Sequence, residues 1–255
     1  MLFATLAALP FAAAAVAPIS LPPAGAKPDY QLGGAYNPPS GVGVVVRDRE
    51  ADPAPGIYSI CYINGFQGQP DDNTWTGANA DLVLRKNGKV VNDPDWDEPI
   101  LDTSNADKRN RLANIVKGWI NGCADKGYRG IELDNFDTFT RFSQLSEENN
   151  VEYAKILINH AHSRGLAVAQ KNAAEITSVG KAAGFDFAIA ESCAVYDECD
   201  AYTDVYGQHV IEIEYKGESE KAWGRACGTN NGISKVRRDL NLVASGKGGY
   251  YAAWC

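Results

Sequence analysis

Short β-forming segments alternate with amphipathic helices along this chain, and this alternation restricts the possible folds more than any other feature. Segments rich in β-branched and aromatic residues occur at 30–34, 43–48, 58–64, 130–135, 165–172, 187–192, 209–215 and 248–254. Helices are predicted at 105–127, 146–164, 175–183 and 234–244. Strands that alternate with helices predict βαβ units, and eight such strands favour a closed (β/α)₈ TIM barrel, an α/β fold in a single domain.

An open, doubly wound sheet is the alternative α/β fold. That fold would place a glycine-rich phosphate loop between an early strand and the following helix. The segment GVGVVV, residues 41–46, instead leads directly into a predicted strand. The barrel is therefore the preferred prediction.

The first 17 residues carry no charge and are rich in leucine, alanine and phenylalanine. They predict a secretory signal cleaved near Ala17, and an apolar N-terminal helix is the alternative. Residues 18–27 are predicted to be a proline-rich linker into a domain at 28–255. No other apolar run is long enough to cross a bilayer, so a secreted, extracellular protein without membrane association is expected.

Six cysteines agree with secretion, because disulfide bonds form in oxidising compartments. Six cysteines allow 15 pairings. One pair brackets the short segment AVYDE, a second would hold the C-terminus, and two cysteines then remain. The predicted disulfides are Cys193–Cys199, Cys227–Cys255 and Cys61–Cys123. No CxxC motif or Cys/His cluster is present, so neither a metal nor a cofactor is expected.

The formal charge of −8 and the pI near 5.0 argue against a nucleic-acid partner. Acidic residues concentrate at 93–99 and 196–204. Such runs are usually solvated loops, but they could also steer a cationic substrate.

The segment GIELDNFD contains three acids that strand geometry separates. Side chains alternate along a strand, so Glu132 and Asp134 share one face, and Ile131 and Leu133 share the other. Catalytic groups of a TIM barrel lie at the C-terminal ends of its strands. Asp134 therefore belongs at the barrel mouth on the fourth strand, while Glu132 lies one layer deeper and needs a partner. Asp137 follows the strand in the loop.

The predicted sixth strand ends at Glu191, so this carboxylate can converge with Asp134 across the barrel mouth. Two carboxylates that flank a glycosidic bond are the requirement for glycoside hydrolysis. Each acid could instead be a cap or a salt-bridge partner, and Lys171 could simply neutralise a carboxylate. Aromatic residues near strand ends could stack on sugars, among them Phe66, Trp75, Trp96, Phe136 and Tyr196. The residues expected to bind substrate are Tyr62, Asn64, Asn135, Asp137, Lys171, Asn172, Glu214, Tyr215 and Trp254.

Four segments in this order, GIELDNFD, GLAVAQKN, FDFAIAESCAVYDEC and VIEIEY, resemble glycoside hydrolase family 114. This is the secreted endo-α-1,4-polygalactosaminidase family of bacteria and fungi, and the resemblance covers residues 28–255. It implies a (β/α)₈ fold, hydrolysis of α-1,4-linked galactosamine polymers such as galactosaminogalactan, and an Asp and a Glu as the catalytic pair. The family's Asp-Asn-x-Asp segment corresponds to residues 134–137, and its Glu ahead of a cysteine corresponds to Glu191.

The chain departs from the family pattern at two positions. Ala173 stands where an acid commonly follows the Lys-Asn pair, and Leu133 stands where proline often precedes the catalytic Asp. Neither change removes a catalytic carboxylate, although the first bears on how substrate is bound. The acidic loops, Asp137 and Glu214 suit a substrate that carries ammonium groups.

The resulting hypothesis is a monomeric, secreted endo-glycosidase with a retaining mechanism, Asp134 as nucleophile and Glu191 as acid/base. A hydrolase of another α-linked polysaccharide and a non-catalytic polysaccharide-binding barrel are the alternatives. A metal-dependent deacetylase is disfavoured, because the chain has only three histidines.

Overall fold

The computed structural model describes residues 18–69 and 72–255, so the predicted signal segment lies outside the described residues. Its central feature is a nearly closed sheet with eight parallel strands in chain order. The strands are β1 (Lys27–Gln31), β2 (Val42–Asp48), β3 (Tyr58–Asn64), β4 (Gly130–Asp134), β5 (Ala167–Lys171), β6 (Phe187–Glu191), β7 (Val210–Tyr215) and β8 (Ser234–Arg238).

Seven α-helices are present in the described part of the chain, and the longer ones cover the outer face of the barrel. They are α1 (Ala106–Lys126), α2 (Thr138–Arg141), α3 (Glu147–Ser163), α4 (Thr177–Ala183), α5 (Cys193–Tyr196), α6 (Cys199–Tyr206) and α7 (Glu220–Gly228). Three 3₁₀ turns (Asn73–Trp75, Gly77–Asn79, Ala174–Ile176) and a hairpin that pairs Arg85–Lys86 with Lys89–Val90 complete the fold. No helix in the described ranges is long and apolar enough to cross a membrane.

The (β/α)₈ prediction is confirmed, and so are the two long helices with their ends. The Asn105 side chain accepts a hydrogen bond from the Lys108 amide at the start of α1. Gly127 ends that helix in the left-handed conformation, with φ of 92°. Ser146 caps α3 in the same way as Asn105 caps α1.

The helix predicted at 234–244 is wrong, because residues 234–238 form the eighth barrel strand. Its sequence, SKVRR, is dominated by charged residues, which hide the apolar pattern of a buried strand. These side chains are buried because each one has partners. The Lys235 ammonium binds two carbonyl oxygens, Arg237 pairs with Glu220, and the Arg238 guanidinium donates to the Tyr30 carbonyl.

The predicted strand at 248–254 is present only as β9 (Ala252–Trp254), and it runs antiparallel to β8. The Trp254 indole donates to the Pro28 carbonyl at the start of β1. This short strand therefore lies between β8 and β1, where it helps to close the barrel.

The apolar core has two layers. Inward-facing residues such as Val46, Ile60 and Ile213 fill the barrel, and a second layer, with Ile131 and Leu133, packs against the helices. All six cysteines are paired, as Cys61–Cys123, Cys193–Cys199 and Cys227–Cys255, which confirms the predicted disulfides.

Residues 18–26 precede β1 and lie against the amino-terminal ends of the barrel strands. The Tyr58 hydroxyl donates to the Ser20 carbonyl at 2.6 Å, and His209 Nδ1 lies 3.1 Å from the Pro22 carbonyl oxygen. This end of the barrel is opposite the strand ends at which Asp134 and Glu191 lie.

Candidate active site

Three consecutive barrel strands end in charged residues whose side chains meet. β4 ends at Asp134, β5 at Lys171 and β6 at Glu191. The Lys171 ammonium nitrogen lies 2.9 Å from Asp134 Oδ1 and 3.1 Å from Glu191 Oε2. Because both oxygens contact one nitrogen, they are at most about 6 Å apart.

Each of these three residues is followed by one in the left-handed backbone conformation. The φ angles are 65° at Asn135, 54° at Asn172 and 55° at Ser192. Asparagine adopts this conformation more readily than most residues do, because its short polar side chain is tolerated there. The chain therefore turns sharply away from the barrel as soon as each charged residue has been placed at the mouth.

A third carboxylate, that of Glu132, lies one layer below the mouth and is completely buried. Its Oε1 is 3.0 Å from the Lys171 ammonium and accepts a hydrogen bond from the Tyr30 hydroxyl at 2.7 Å. Strand alternation placed Glu132 one layer below the mouth, where a buried charge needs a partner, and that partner is Lys171. This single cation contacts three carboxylates.

A tyrosine hydroxyl donates to each of the three carboxylates, from strands β1, β3 and β7. The pairs are Tyr30 with Glu132, Tyr62 with Asp134 at 2.7 Å, and Tyr215 with Glu191. Because all three rings belong to the buried interior of the barrel, the acids are held from below and from the side. The Asp134 and Glu191 side chains stay partly exposed at the mouth, whereas Glu132 is completely enclosed.

The surroundings give Asp134 and Glu132 opposite pKa shifts. Burial by itself raises the pKa of Asp134, but the Lys171 ammonium and the Tyr62 hydroxyl outweigh it and hold the pKa below its ordinary value. Burial dominates at Glu132 and raises its pKa to about 7, even though Lys171 lowers it. Asp134 is therefore kept ionised, as a nucleophilic carboxylate must be.

The strand ends open into two adjoining cavities, of about 510 Å³ and 210 Å³. We call them the main cavity and the side cavity. Asn172, Glu191 and Tyr196 line both of them. Glu191 thus lies where the two spaces meet, so that an extended chain could lie across it.

The walls of the two cavities are acidic. Asp48, Glu98 and Glu218 line the main cavity, and Asp137, Glu175 and Glu198 line the side cavity. Among the described residues that line either space, none is Lys or Arg. Lys171, which lies below the mouth and is 2% exposed, is already used by the three carboxylates.

A sequence model of glycoside-hydrolase family GH114 matches residues 8–255, nearly the entire chain. The chain belongs to family GH114. Glycoside hydrolysis follows from this membership, and the carboxylates of Asp134 and Glu191 are of the type that such chemistry uses. A search of curated protein sequences finds no match.

Solved structures share this fold at low sequence identity. Ega3 from Aspergillus fumigatus, in complex with galactosamine, is 22% identical with a TM-score of 0.73, and the match covers 94% of this chain and 100% of Ega3. The glycoside hydrolase domain of PelA from Pseudomonas aeruginosa is 17% identical, with a TM-score of 0.59 and coverage of 87% and 97%. The α-galactosidase TtGalA from Thermus thermophilus, in complex with stachyose, is 12% identical, with a TM-score of 0.51 and coverage of 89% and 64%.

Most of the residues that the sequence predicts to bind substrate lie near the carboxylates of Asp134 and Glu191. Asn172 donates to Glu191 Oε2 at 3.2 Å. Asn135 donates to Asn64 Oδ1 at 3.0 Å, and Asn64 in turn donates to Glu98 at 2.8 Å. These amides connect the ends of β4 and β6 to the cavity wall.

Asp137 lines the side cavity, where it pairs with Arg141 at 3.0 Å. Burial raises its pKa to about 6, although Arg141 lowers it. This loop acid is therefore beside the carboxylate pair rather than part of it.

Glu214 and Trp254 are not brought to the cavities. Side chains alternate along β7, so Tyr215 points into the barrel while Glu214 points outward, where it accepts a hydrogen bond from the Ala194 amide at 2.9 Å. Trp254 lies near the amino-terminal end of β1, with the Lys27 ammonium over its ring. The rings of Phe66, Trp75 and Phe136 are buried in the core and cannot stack on a sugar.

Sequence reasoning missed two residues that contact this network. Tyr30 lies on a predicted strand, but nothing in the pattern indicates that its hydroxyl reaches Glu132 from the far side of the barrel. Glu98 lies in an acidic loop that could equally have been solvated, and instead it lines the main cavity. Burial raises the pKa of Glu98 to about 7.

Proposed function

We propose that this protein is an endo-acting hydrolase of α-1,4-linked galactosamine polymers, with Asp134 as nucleophile and Glu191 as acid/base. The observation that carries the proposal is that Lys171 holds both carboxylates, with the contacting oxygens no more than about 6 Å apart. Retaining glycosidases have carboxyl groups about 5–5.5 Å apart, and inverting ones about 6.5–9.5 Å. The short separation favours a retaining mechanism.

The first chemical step forms a covalent intermediate. Glu191 protonates the glycosidic oxygen while the Asp134 carboxylate attacks the anomeric carbon, so that the glycosidic bond breaks and a glycosyl ester forms. Lys171 and Tyr62 support this step because they keep Asp134 ionised before the attack.

Water hydrolyses the ester in the second step, with Glu191 now acting as the base. Formation of the ester removes the negative charge of Asp134. The Lys171 ammonium, 3.1 Å from Glu191 Oε2, then remains as the cation beside the base. The same lysine thus serves the nucleophile in the first step and the base in the second.

The charge of the cavity walls supports an amino sugar as the substrate. Deacetylated galactosamine carries an ammonium group, and the acids of cavity walls that no lysine or arginine lines can attract it through charge-assisted hydrogen bonds. Ega3, which has the same fold, was crystallised with galactosamine. Glu98 and Asp137, on opposite sides of the catalytic pair, are the acids assigned to this role.

The position of Glu191 supports cleavage within the chain. Because it lies where the main and side cavities meet, sugars can be bound on both sides of the broken bond. Exposed aromatic rings of Trp96 and Tyr196 stand at the main cavity, where they can stack on sugar faces.

The test is release of reducing ends from purified galactosaminogalactan by the wild type and by Asp134→Asn and Glu191→Gln. We expect oligosaccharide products from the wild type and no release by either variant, while all three proteins keep the same circular dichroism spectrum. Cleavage by Asp134→Asn at the wild-type rate would remove Asp134 from the proposed role.

A matched substrate separates the proposal from its alternatives. The same polymer after chemical N-acetylation has lost its ammonium groups, so we expect cleavage to fall sharply. Equal cleavage of both polymers would indicate a hydrolase of another α-linked polysaccharide. Binding without release of reducing ends would indicate a non-catalytic barrel.

We also propose that the protein is secreted and monomeric. Three disulfides agree with an oxidising compartment. Expression of the full sequence should yield protein in the culture medium with its N-terminus near residue 18. Light scattering should give the mass of a single chain.

A further inference from the structure

A second acidic cluster lies outside the barrel, between β7 and helices α5 to α7. Glu212 and Glu214 occupy the outward face of β7, and their exposed fractions are 1% and 2%. Their carboxylate oxygens lie within 4.8 Å of one another. The catalytic network does not use them, because it is on the inward face of the same strand.

This cluster contains buried oxygen atoms without hydrogen-bond partners. Glu212 Oε1 and Asn231 Oδ1 both lack a partner, and both residues line a cavity of about 210 Å³. Leaving a buried acceptor unsatisfied costs about 1–3 kcal/mol, and more for a charged group. Oxygens that converge on a cavity in this way indicate a ligand that is positively charged.

The two neighbouring cations form their hydrogen bonds with carbonyl oxygens instead of with Glu212 or Asn231. Lys235 lies opposite Glu212 in the strand register, but its ammonium binds the carbonyl oxygens of Ala226 and Thr229 at 2.7 and 2.6 Å. The Arg225 guanidinium also lines the cavity, and it donates to the Ala194 carbonyl at 2.8 Å.

Burial outweighs the main groups that lower the pKa of each acid, which are the Lys235 ammonium at Glu212 and the Ala194 amide at Glu214. Burial raises the pKa of Glu212, and it raises the pKa of Glu214 to about 7.

The donor set selects one class of ion. Cys193 and Cys199 also lie in this cluster, but their sulfurs form a disulfide, so no thiolate is available and zinc is disfavoured. Oxygen atoms alone suit calcium, which binds them at about 2.3–2.6 Å in flexible geometry. Two oxygens on opposite sides of such an ion are about 5 Å apart at most, which agrees with the spacing between Glu212 and Glu214.

We propose that this cluster is a calcium site, with Glu212, Glu214 and Asn231 as ligands. Asp197 and Asp200 line the outer wall of the cavity and complete the coordination directly or through water. The ion would join the loop closed by the Cys193–Cys199 disulfide to β7 and to the loop between α7 and β8. Its role would be structural and separate from catalysis.

The test uses the full protein after treatment with EDTA and removal of the chelator. Isothermal calorimetry with calcium chloride should show one site, and calcium should raise Tm by about 2–4 °C or more, the shift that a modest stabilisation gives a domain of this size. Glu212→Gln, which keeps the shape of the side chain, should lose both the binding heat and the Tm shift. Glu152→Gln, at an exposed acid paired with Lys155, is the matched control and should keep both.

Other outcomes would overturn the proposal. One such outcome is that the wild type gives no binding heat and no Tm shift at calcium concentrations up to about 10 mM, which exceeds the Kd of weak extracellular sites. Glu212→Gln could also respond to calcium as the wild type does. If Glu212→Gln does not fold, Asn231→Ala provides the same comparison, because Asn231 is in a surface loop and its replacement leaves the strand intact.

Discussion

Lys171 Nζ lies 2.9 Å from Asp134 Oδ1, across the boundary between two neighbouring barrel strands. The lysine is 2% exposed and also contacts Glu132 and Glu191. One buried cation therefore holds together three acids that would otherwise repel one another. The stability of the barrel mouth and the ionisation of the proposed nucleophile depend on the same ammonium group.

Replacing Lys171 by methionine should destabilise the protein strongly. The change keeps the length of the side chain but leaves three acids without their shared cation. Breaking a buried ion pair costs about 3–5 kcal/mol, and we expect a loss of this size in urea unfolding at pH 7.5. The loss should be smaller near pH 5, where the acids can bind protons.

Lys155→Met is the control for this experiment, because Lys155 forms an exposed ion pair with Glu152. Its free energy of unfolding should change by less than about 1 kcal/mol. If the two variants lost equal stability, the central role of Lys171 would be disproved.

Tyr62→Phe should raise the pKa of Asp134, since it removes a hydroxyl that donates to the carboxylate. A hydrogen bond to a charged group contributes about 1.5–3 kcal/mol, which corresponds to about 1–2 pKa units. The acid limb of the kcat/KM profile should therefore move to higher pH. Tyr58→Phe, whose hydroxyl binds the Ser20 carbonyl at the other end of the barrel, should keep the wild-type profile. A uniform loss of activity at every pH would argue for a purely structural role.

Glu132→Gln should reduce the fall in the free energy of unfolding that accompanies rising pH. Burial raises the pKa of Glu132 to about 7 in the folded state, so between about pH 4.5 and 7 the folded protein binds more protons than the unfolded chain does. The free energy of unfolding of the wild type must then fall as pH rises through this range, by on the order of 3 kcal/mol from this group.

Urea unfolding at pH 4.5, 6 and 7.5 measures this difference. The variant should match the wild type at pH 4.5 and exceed it at pH 7.5. Glu98 and Glu214, whose pKa values are also raised to about 7 by burial, titrate in both proteins and cancel in the comparison. Parallel curves would show that Glu132 does not titrate in this range.

The loss of stability on removing each disulfide should follow the order of the loop lengths. The Cys61–Cys123 bond spans 62 residues and the Cys193–Cys199 bond spans 6. Loop entropy predicts losses of about 4 and about 2 kcal/mol when each pair is replaced by alanine. Chemical unfolding of the two double variants measures both values, and the reverse order would show that local packing outweighs loop entropy.

The barrel and the strands that carry Asp134 and Glu191 could be predicted because they follow from short-range rules. Alternation along GIELDN placed Glu132 below Asp134, and counting strands placed Asp134 and Glu191 on the fourth and sixth. These inferences need only the period of a strand and the polarity of a barrel. The capping residues of the long helices were predictable for the same reason.

The remaining features depend on partners that are distant in sequence. Residues 234–238 look like a helix until Arg238 is seen to bind the Tyr30 carbonyl, 208 residues away. Glu214 looked like a site residue because it is near a strand end, but the register of β7 sends it to the opposite face. Tyr30 reaches Glu132 across a separation of 102 residues. Only the closed barrel brings such pairs together.

Both ends of the described chain lie at the base of the barrel, with consequences for use of the protein on a solid support. Ser20 and Pro22 contact residues at the starts of strands, and Cys255 lines a depression there together with Ala26. A bead, a cell wall or a fused targeting module attached at either end would lie on the side of the barrel opposite the main and side cavities. The proposed catalytic groups would then point toward the surrounding matrix, where a polymer too large to diffuse could still be reached.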